Sequence, residues 1–531
     1  MSGYSPADLA TFREFLRRKY ENDAALAAAW RMPGMTFDAA QMPPEELHTR
    51  GRIGTLLDPE RDRQLMDWFE YRNVSIAEAL IELCRIVKDA SGGKLLAGAY
   101  YGYFVEMASN LPRAIQDHGH NGYLETAKSP YVDFVRAPTR YDLRRIGAPD
   151  GIMQIYDTYT RHGKVVYLEC DLRTAYRESR NGGLTIYVAH PTTGYQTVAV
   201  LNRAFGMSLA TGIGRYWYDI SAGGYREPVL QALLKEHKRI YDELPPVRNL
   251  TPRDVAVVFD RDSVYCTKRN AKDTILPAVT KPLFRDLNRM GAAFRVLSLD
   301  DLRDETLPPH KFYIMANAFS LSKEQREELM RRFSAEKAAV LWLYAPGAFH
   351  PDRGPKAEFC GDFLGLRTVM SEKVDAPVMK TANPLPETSC TVPTPFAPWF
   401  YPESGFDEVL GRGRDGRPML VKVEKDGATH YFSTLPALPP EVLRHLAGRA
   451  GTHFYTPDTA DPVWAGNDVV FLHAATGGKK SILLPPGTKL RGLIGPHKDK
   501  VFDPGEEWNA EAGSTHGFLV IPGAAPRSTR R

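Results

Sequence analysis

The stretch His162–Thr174 (HGKVVYLECDLRT) decides the fold. Its centre, Lys164–Glu169 (KVVYLE), is a short apolar, β-branched run that stops on a carboxylate. Such a run reads as a buried strand. Working outward, three more runs of the same kind appear: Lys94–Tyr101 (KLLAGAYY), Tyr131–Ala137 (YVDFVRA) and Ile213–Asp219 (IGRYWYD). Helical patterns lie between them, such as Thr197–Thr211, and one follows the last at Glu227–Leu244. Strands alternating with helices imply a parallel sheet. The strand starts are 37, 33 and 49 residues apart, the rhythm of a (β/α) barrel, which spends ~30 residues per unit. A closed barrel needs eight units and four are visible, so either the sheet is open or further units lie outside this chain.

Upstream, Ser5-Pro6 with Asp8 forms a helix start, and Leu9, Phe12, Phe15 and Leu16 fall on one helical face. Asn22-Asp23 caps a second helix ending near Trp30. A long helix covers roughly 59–90, with Ile76, Leu80, Leu83 and Val87 at a spacing of three to four. Downstream, Arg248–Pro252 is a linker. A doubly wound α/β pattern follows, with strands at Val255–Phe259, Phe294–Leu297, Phe312–Ala316 and Ala339–Tyr344. From about 376 the chain turns rich in Pro and Thr and then β-like, and its last segment reads as short antiparallel strands ending in a disordered tail. The expected division is 1–247, then 250–455 with a β-rich insertion near 376–425, then a small β-sandwich over 456–531.

Composition excludes several classes. The 531 residues suit two to four domains, and 43% hydrophobic with 25% charged residues is the balance of a soluble globular protein. A net charge of +4 is too small for a dedicated nucleic-acid binder. No stretch approaches the ~18 apolar residues of a membrane span, and the N-terminus has no signal-peptide pattern. Five cysteines without a CxxC pair argue against a disulfide framework or a zinc knuckle and fit reduced thiols in a cytoplasm.

Chemistry in a parallel α/β barrel sits where strands end. Glu169 ends its strand and Asp171 follows on the same side; Asp133 lies in YVDFVRA, Glu106 follows the first strand, and Trp217 and Asp219 close IGRYWYD. A carboxylate at the end of an apolar strand is costly to bury unless it works or is paired. Glycosidases need two, one as acid/base and one as nucleophile. The plainer alternative is pairing with Arg136, Arg140, Arg173 and Arg215. His118-Gly-His120 lacks a third ligand for a metal, and Gly477–Ser481 (GGKKS) lacks the leading Gly of a phosphate loop. No cofactor is expected, and Cys170 reads as core.

Four segments carry a resemblance: Phe12–Tyr20 with Leu26–Trp30, then Ser129–Arg144 (SPYVDFVRAPTRYDLR), His162–Thr174, and Gly212–Pro228 (GIGRYWYDISAGGYREP). In this order they resemble the second half of the barrel in family 42 glycoside hydrolases, the β-galactosidase family. Val255–Ser263, Gly291–Leu302 and Lys311–Phe319 resemble that family's trimerisation domain, which looks like a glutamine amidotransferase fold. The resemblance implies an α/β fold in which the four strands are strands five to eight of a partial (β/α) barrel. It implies a carbohydrate substrate, a retaining mechanism with Glu169 as nucleophile, and a homotrimer. It implies Trp217 as an aromatic platform in a sugar site shaped by Asp133, Asp171, Asp219 and Glu106. The family's acid/base is a Glu ending strand four, which would precede Phe12. The chain leaves no room for it, so the expectation is a protein without barrel strands one to four and without the usual acid/base. A second expectation follows: a non-catalytic relative acting in carbohydrate binding or assembly.

Overall fold

The computed structural model describes residues 4–49, 54–109, 115–176, 191–219, 224–269, 275–350 and 353–523. The expected disordered tail lies largely outside them. The described elements up to Ser91 are helical: α1 (Pro6–Lys19), α2 (Asp23–Trp30) and α3 (Pro59–Ser91). The Ser5 side chain accepts from the Asp8 N–H while Asp8 reaches back to Ser5, a capping box that starts α1 at Pro6. Phe12, Phe15, Leu16, Trp30 and Trp68 form the buried seam between these helices.

Four parallel strands follow in chain order: β1 (Gly98–Tyr100), β2 (Phe134–Pro138), β3 (Val165–Cys170) and β4 (Gly214–Trp217). Between and after them lie α4 (Phe104–Ser109), α5 (Tyr123–Lys128), α6 (Tyr156–Arg161), α7 (Gly194–Thr211) and α8 (Pro228–Glu243). The sheet order is β1-β2-β3-β4, so the outer edges of β1 and β4 pair with no strand among the described residues.

Two expectations fail at the β1 edge. Lys94–Tyr101 forms only a three-residue strand, and Leu95 and Leu96 run outside it, 59% and 70% exposed. Leu83 and Val87, expected on a buried face of α3, are 63% and 39% exposed, while Ala77 and Cys84 are the positions this half of the helix buries. Among the described residues, β1 has no strand on its outer edge. Leu83, Ile86, Val87, Leu95, Leu96 and Tyr100 are exposed apolar side chains of α3 and the run Lys94–Tyr101.

The next sheet has nine strands. β5 (Val255–Phe259), β6 (Phe294–Ser298), β7 (Phe312–Met315) and β8 (Ala339–Leu343) run parallel in the order β8-β7-β5-β6, and Ala428–Ser433 adds parallel to β8. Pro418–Lys425, Glu408–Gly413, Met379–Thr381 and Thr388–Cys390 continue the same sheet antiparallel, so the Pro- and Thr-rich stretch extends this layer. Every residue of β5, β7 and β8 is buried, which explains their unbroken apolar runs. At the C-terminal end, Val463–Gly466, Val469–His473, Thr515–Pro522, Thr488–Gly492 and Val501–Phe502 form an antiparallel sheet. Gly478–Lys480, within the GGKKS run, pairs antiparallel with Trp508–Ala510, and Lys480 binds Asp461 at 2.6 Å, so this lysine is held within the protein.

Candidate functional site

β3 alternates. Val166, Leu168 and Cys170 are buried, and Cys170 lies with Leu201 and Ala204 of α7 and Leu230 of α8. The helices therefore cover that face. Glu169 and Tyr167 point the other way. Register then builds the opposite face: Glu169 stands beside Tyr216 of β4 and Pro138 of β2, and Tyr167 beside Arg136 and Gly214. A Cβ at Gly214 would come 2.7 Å from the Tyr167 ring, so this glycine makes room for that side chain.

Two phenols hold the carboxylate. Glu169 Oε2 accepts from the Tyr216 hydroxyl at 2.5 Å and from the Tyr100 hydroxyl. Burial, and then the hydrogen bond to Glu169, raise the Tyr100 phenol above its ordinary value, and the same two causes raise Tyr216. Both therefore remain protonated donors. One carboxylate oxygen carries both bonds. Below Tyr216 lies Arg136, whose guanidinium carbon is 5.0 Å from the Phe134 ring centre, 5.5 Å from Tyr216 and 5.8 Å from Tyr167. Beyond the end of β1, Tyr103 stacks on His120 at 4.6 Å and donates its N–H to His120 Nδ1 at 3.3 Å. Burial raises the Tyr103 phenol, and the charges of Glu169 and Asp171 add to the effect.

The other expected site residues part company with Glu169. Trp217 pairs in register with Cys170, one residue from Tyr216, and so turns to the helix side. There its ring lies 4.5 Å from the Arg215 guanidinium, stacks on His237 at 5.7 Å and meets Tyr225 at 6.2 Å. The place expected for Trp217 beside Glu169 is taken by Tyr216. Asp133 precedes β2, at the end of the sheet opposite Glu169, where it pairs with Lys88 at 2.6 Å and accepts from the Ala97 N–H at 2.7 Å. Asp171 is buried between Arg144 and Arg173, the latter at 2.8 Å. Asp219 is half-buried and accepts from the Gly224 N–H at 3.2 Å. Glu106 is buried in α4. Of the arginines named as alternative partners, Arg173 meets Asp171 at 2.8 Å, Arg140 pairs with Asp142 at 2.7 Å, and Arg136 and Arg215 lie over rings.

A cavity of about 460 Å³ opens along the unpaired edge of β4, lined by Tyr167, Phe205, Trp217, Leu234, His237 and Tyr241. Among the described residues no group of three or more His, Cys, Asp or Glu side chains could hold a metal ion, and no helix is long and apolar enough to cross a membrane.

Sequence comparison gives nothing: no family model and no curated protein matches this chain. Solved structures do. The β-galactosidase from Rahnella sp. R3 superposes with a TM-score of 0.68 over 98% of this chain and 76% of its own, at 12% identity. The likeness is one of fold. Gan42B, a GH42 β-galactosidase from G. stearothermophilus, gives 0.64 at 14% identity, covering 97% and 75%. An exo-carrageenase GH42 from Bacteroides ovatus gives 0.53 at 10% identity, covering 97% of this chain and 62% of its own.

The sequence reading weighed Arg136 only as an ion-pair partner and His120 only in a metal pair with His118, and it missed Tyr100, Tyr103 and Tyr216. Tyr216 was within reach, because alternation allows only one of Tyr216 and Trp217 to share a face with Glu169. Tyr100 was not, since 69 residues separate it from Glu169.

Proposed function

We propose that this chain is a glycoside hydrolase of the β-galactosidase type that works with retention, Glu169 being the nucleophile. The observation that carries this is the carboxylate at the end of a parallel strand, held by two phenol hydroxyls on the face turned from the helices. The fold shared with GH42 β-galactosidases over nearly the whole chain supports it. With Oε2 accepting from both phenols, Oε1 attacks the anomeric carbon, and the glycosidic C–O bond breaks with its electrons passing to the leaving oxygen. Water then attacks the glycosyl-enzyme ester and frees Glu169.

The leaving oxygen needs a proton. In this proposal β1–β4 are strands five to eight of a (β/α) barrel and the acid comes from a strand beside them. The two open edges and the apolar side chains at β1 support such neighbours. Asp133 is tied to Lys88 at the far end of the sheet, so if an acid within this chain serves, Glu106 in α4 is the first to test. Homotrimeric assembly remains part of the proposal. Among described residues the region 254–455 exposes Val374 alone of the large apolar side chains counted as exposed, so assembly there would rest on polar contacts. The five cysteines are free and buried, which supports a reducing compartment such as the cytoplasm.

The test compares leaving groups. A 2,4-dinitrophenyl β-galactoside should be hydrolysed far faster than lactose, and Glu169→Gln should abolish both. Binding of galactose without turnover of either substrate would favour the alternative, a carbohydrate-binding relative, which the ring-lined face also suits.

A further inference from the structure

The inner face carries a cation that the hydrolytic mechanism does not use. Arg136 lies among three rings, Phe134, Tyr167 and Tyr216, at 5.0–5.8 Å. Its Nε is shielded from solvent and has no hydrogen-bond partner, while the residue as a whole is half-buried and its guanidinium also reaches the Tyr100 phenol. Among the described residues no carboxylate comes within ion-pair distance of it; the salt bridges at this end of the sheet belong to Arg140, Arg144 and Arg173. Tyr216 touches both Arg136 and Glu169: its hydroxyl donates to Glu169 Oε2 at 2.5 Å and its ring centre lies 5.5 Å from the Arg136 guanidinium carbon.

A guanidinium fixed by stacking and lacking a counter-ion is costly to leave unpaired and well shaped to take a planar anion through two parallel N–H···O bonds. Aromatic rings around it fit the apolar faces of a pyranose. Register places Arg136 beside Tyr167 and Glu169 beside Tyr216 on one face of the sheet, so a sugar bound at Glu169 lies on the face that carries Arg136.

We infer that Arg136 is an anion subsite, and that the sugar bound on this face carries a carboxylate or a sulfate ester. The inference rests on the glycosidase proposal for the same face and narrows its substrate class. Two readings of the bare structure compete with it: Arg136 as a packing cation, or as a charge that serves Glu169.

The experiment is equilibrium binding to the full chain, followed by calorimetry or ligand-observed NMR, which needs no turnover. The probes are methyl β-galactoside, methyl β-galacturonide and methyl β-galactoside 6-sulfate. At least one charged probe should bind ten times more tightly than the neutral one, and which of the two does so identifies the anion. Arg136→Gln should erase that preference and leave neutral-sugar affinity within twofold. Arg136→Lys, which keeps the charge but loses the fork, should keep only part of it. Salt should weaken the charged probe alone. Equal affinity for charged and neutral probes, no binding of either charged probe at millimolar concentration, or a preference that survives Arg136→Gln would overturn the inference. Glu169-dependent hydrolysis of a neutral galactoside would survive each of those outcomes, so the two proposals fail separately.

Discussion

Tyr216 and Glu169 stand side by side on neighbouring parallel strands, and the Tyr216 hydroxyl donates to Glu169 Oε2 at 2.5 Å. A hydrogen bond to a charged acceptor contributes ~1.5–3 kcal/mol. Tyr216→Phe should lower kcat on a dinitrophenyl galactoside by roughly tenfold or more, with little change in thermal midpoint. Tyr100→Phe should act in the same direction. The double variant should lose less than the product of the two, because both phenols share one oxygen. Steady-state kinetics on the three variants checks this.

Trp217 gives the opposite expectation. Its ring packs on the helix side with His237 and Tyr225, in the cluster that holds Cys170. Trp217→Ala should cost about 3 kcal/mol of stability and leave sugar affinity unchanged. Urea unfolding beside a binding titration separates the two effects.

Asp171 is expected to act on stability through its two arginines. Its side chain is 4% exposed, between Arg144 and Arg173. Asp171→Asn leaves two buried cations short of their counter-charge, a change that costs about 3–5 kcal/mol. Asp133→Asn removes a more exposed pair with Lys88 and should cost at most about 1 kcal/mol, with no loss of rate. Chemical denaturation of both variants is the measurement.

Acid should unfold the protein through its histidines. Burial holds His310, His430 and His516 down at about 4, and pushes His237 and His473 well below their ordinary value. In the unfolded chain they titrate near 6.5. As pH falls below 6.5 the unfolded state takes up protons that the fold refuses, so stability present above 6.5 is lost as pH falls through 4. Each proton is worth about 1.4 kcal/mol per pH unit. Burial also raises Asp260, Glu70, Asp150, Asp157, Asp262 and Asp301, which act in the opposite sense. The histidine contribution is isolated by His430→Leu, which should flatten the loss of stability between pH 6 and 4.5 read from denaturation midpoints.

The surface at β1 predicts stickiness. Leu83 and Leu96 are 63% and 70% exposed. Replacing both with Lys should reduce binding of a hydrophobic dye and self-association in light scattering, without lowering the unfolding midpoint.

Much of the fold was legible because the strands announce themselves as apolar runs between helical patterns. β2, β3 and β4 fall within a few residues of the runs read from sequence. The edge was less so. Leu95 and Leu96 have the composition of a strand, yet a strand needs a neighbour, and no described strand pairs on that side. The site was legible at Glu169 and obscure around it. Composition marks IGRYWYD as a strand but not which of its rings faces the carboxylate; a single step of register exchanges Tyr216 for Trp217. Asp133 misled for a related reason: a carboxylate near a strand says nothing about which end of the sheet it occupies.

The most direct test of the central claim is covalent trapping with 2,4-dinitrophenyl 2-deoxy-2-fluoro-β-galactoside. Its leaving group needs no proton, so the reaction depends on the nucleophile and not on the acid. The account predicts a single fluorogalactosyl adduct by intact mass, mapped to the peptide containing Glu169 and absent from Glu169→Gln. An unmodified protein, or an adduct on any other carboxylate, would contradict it.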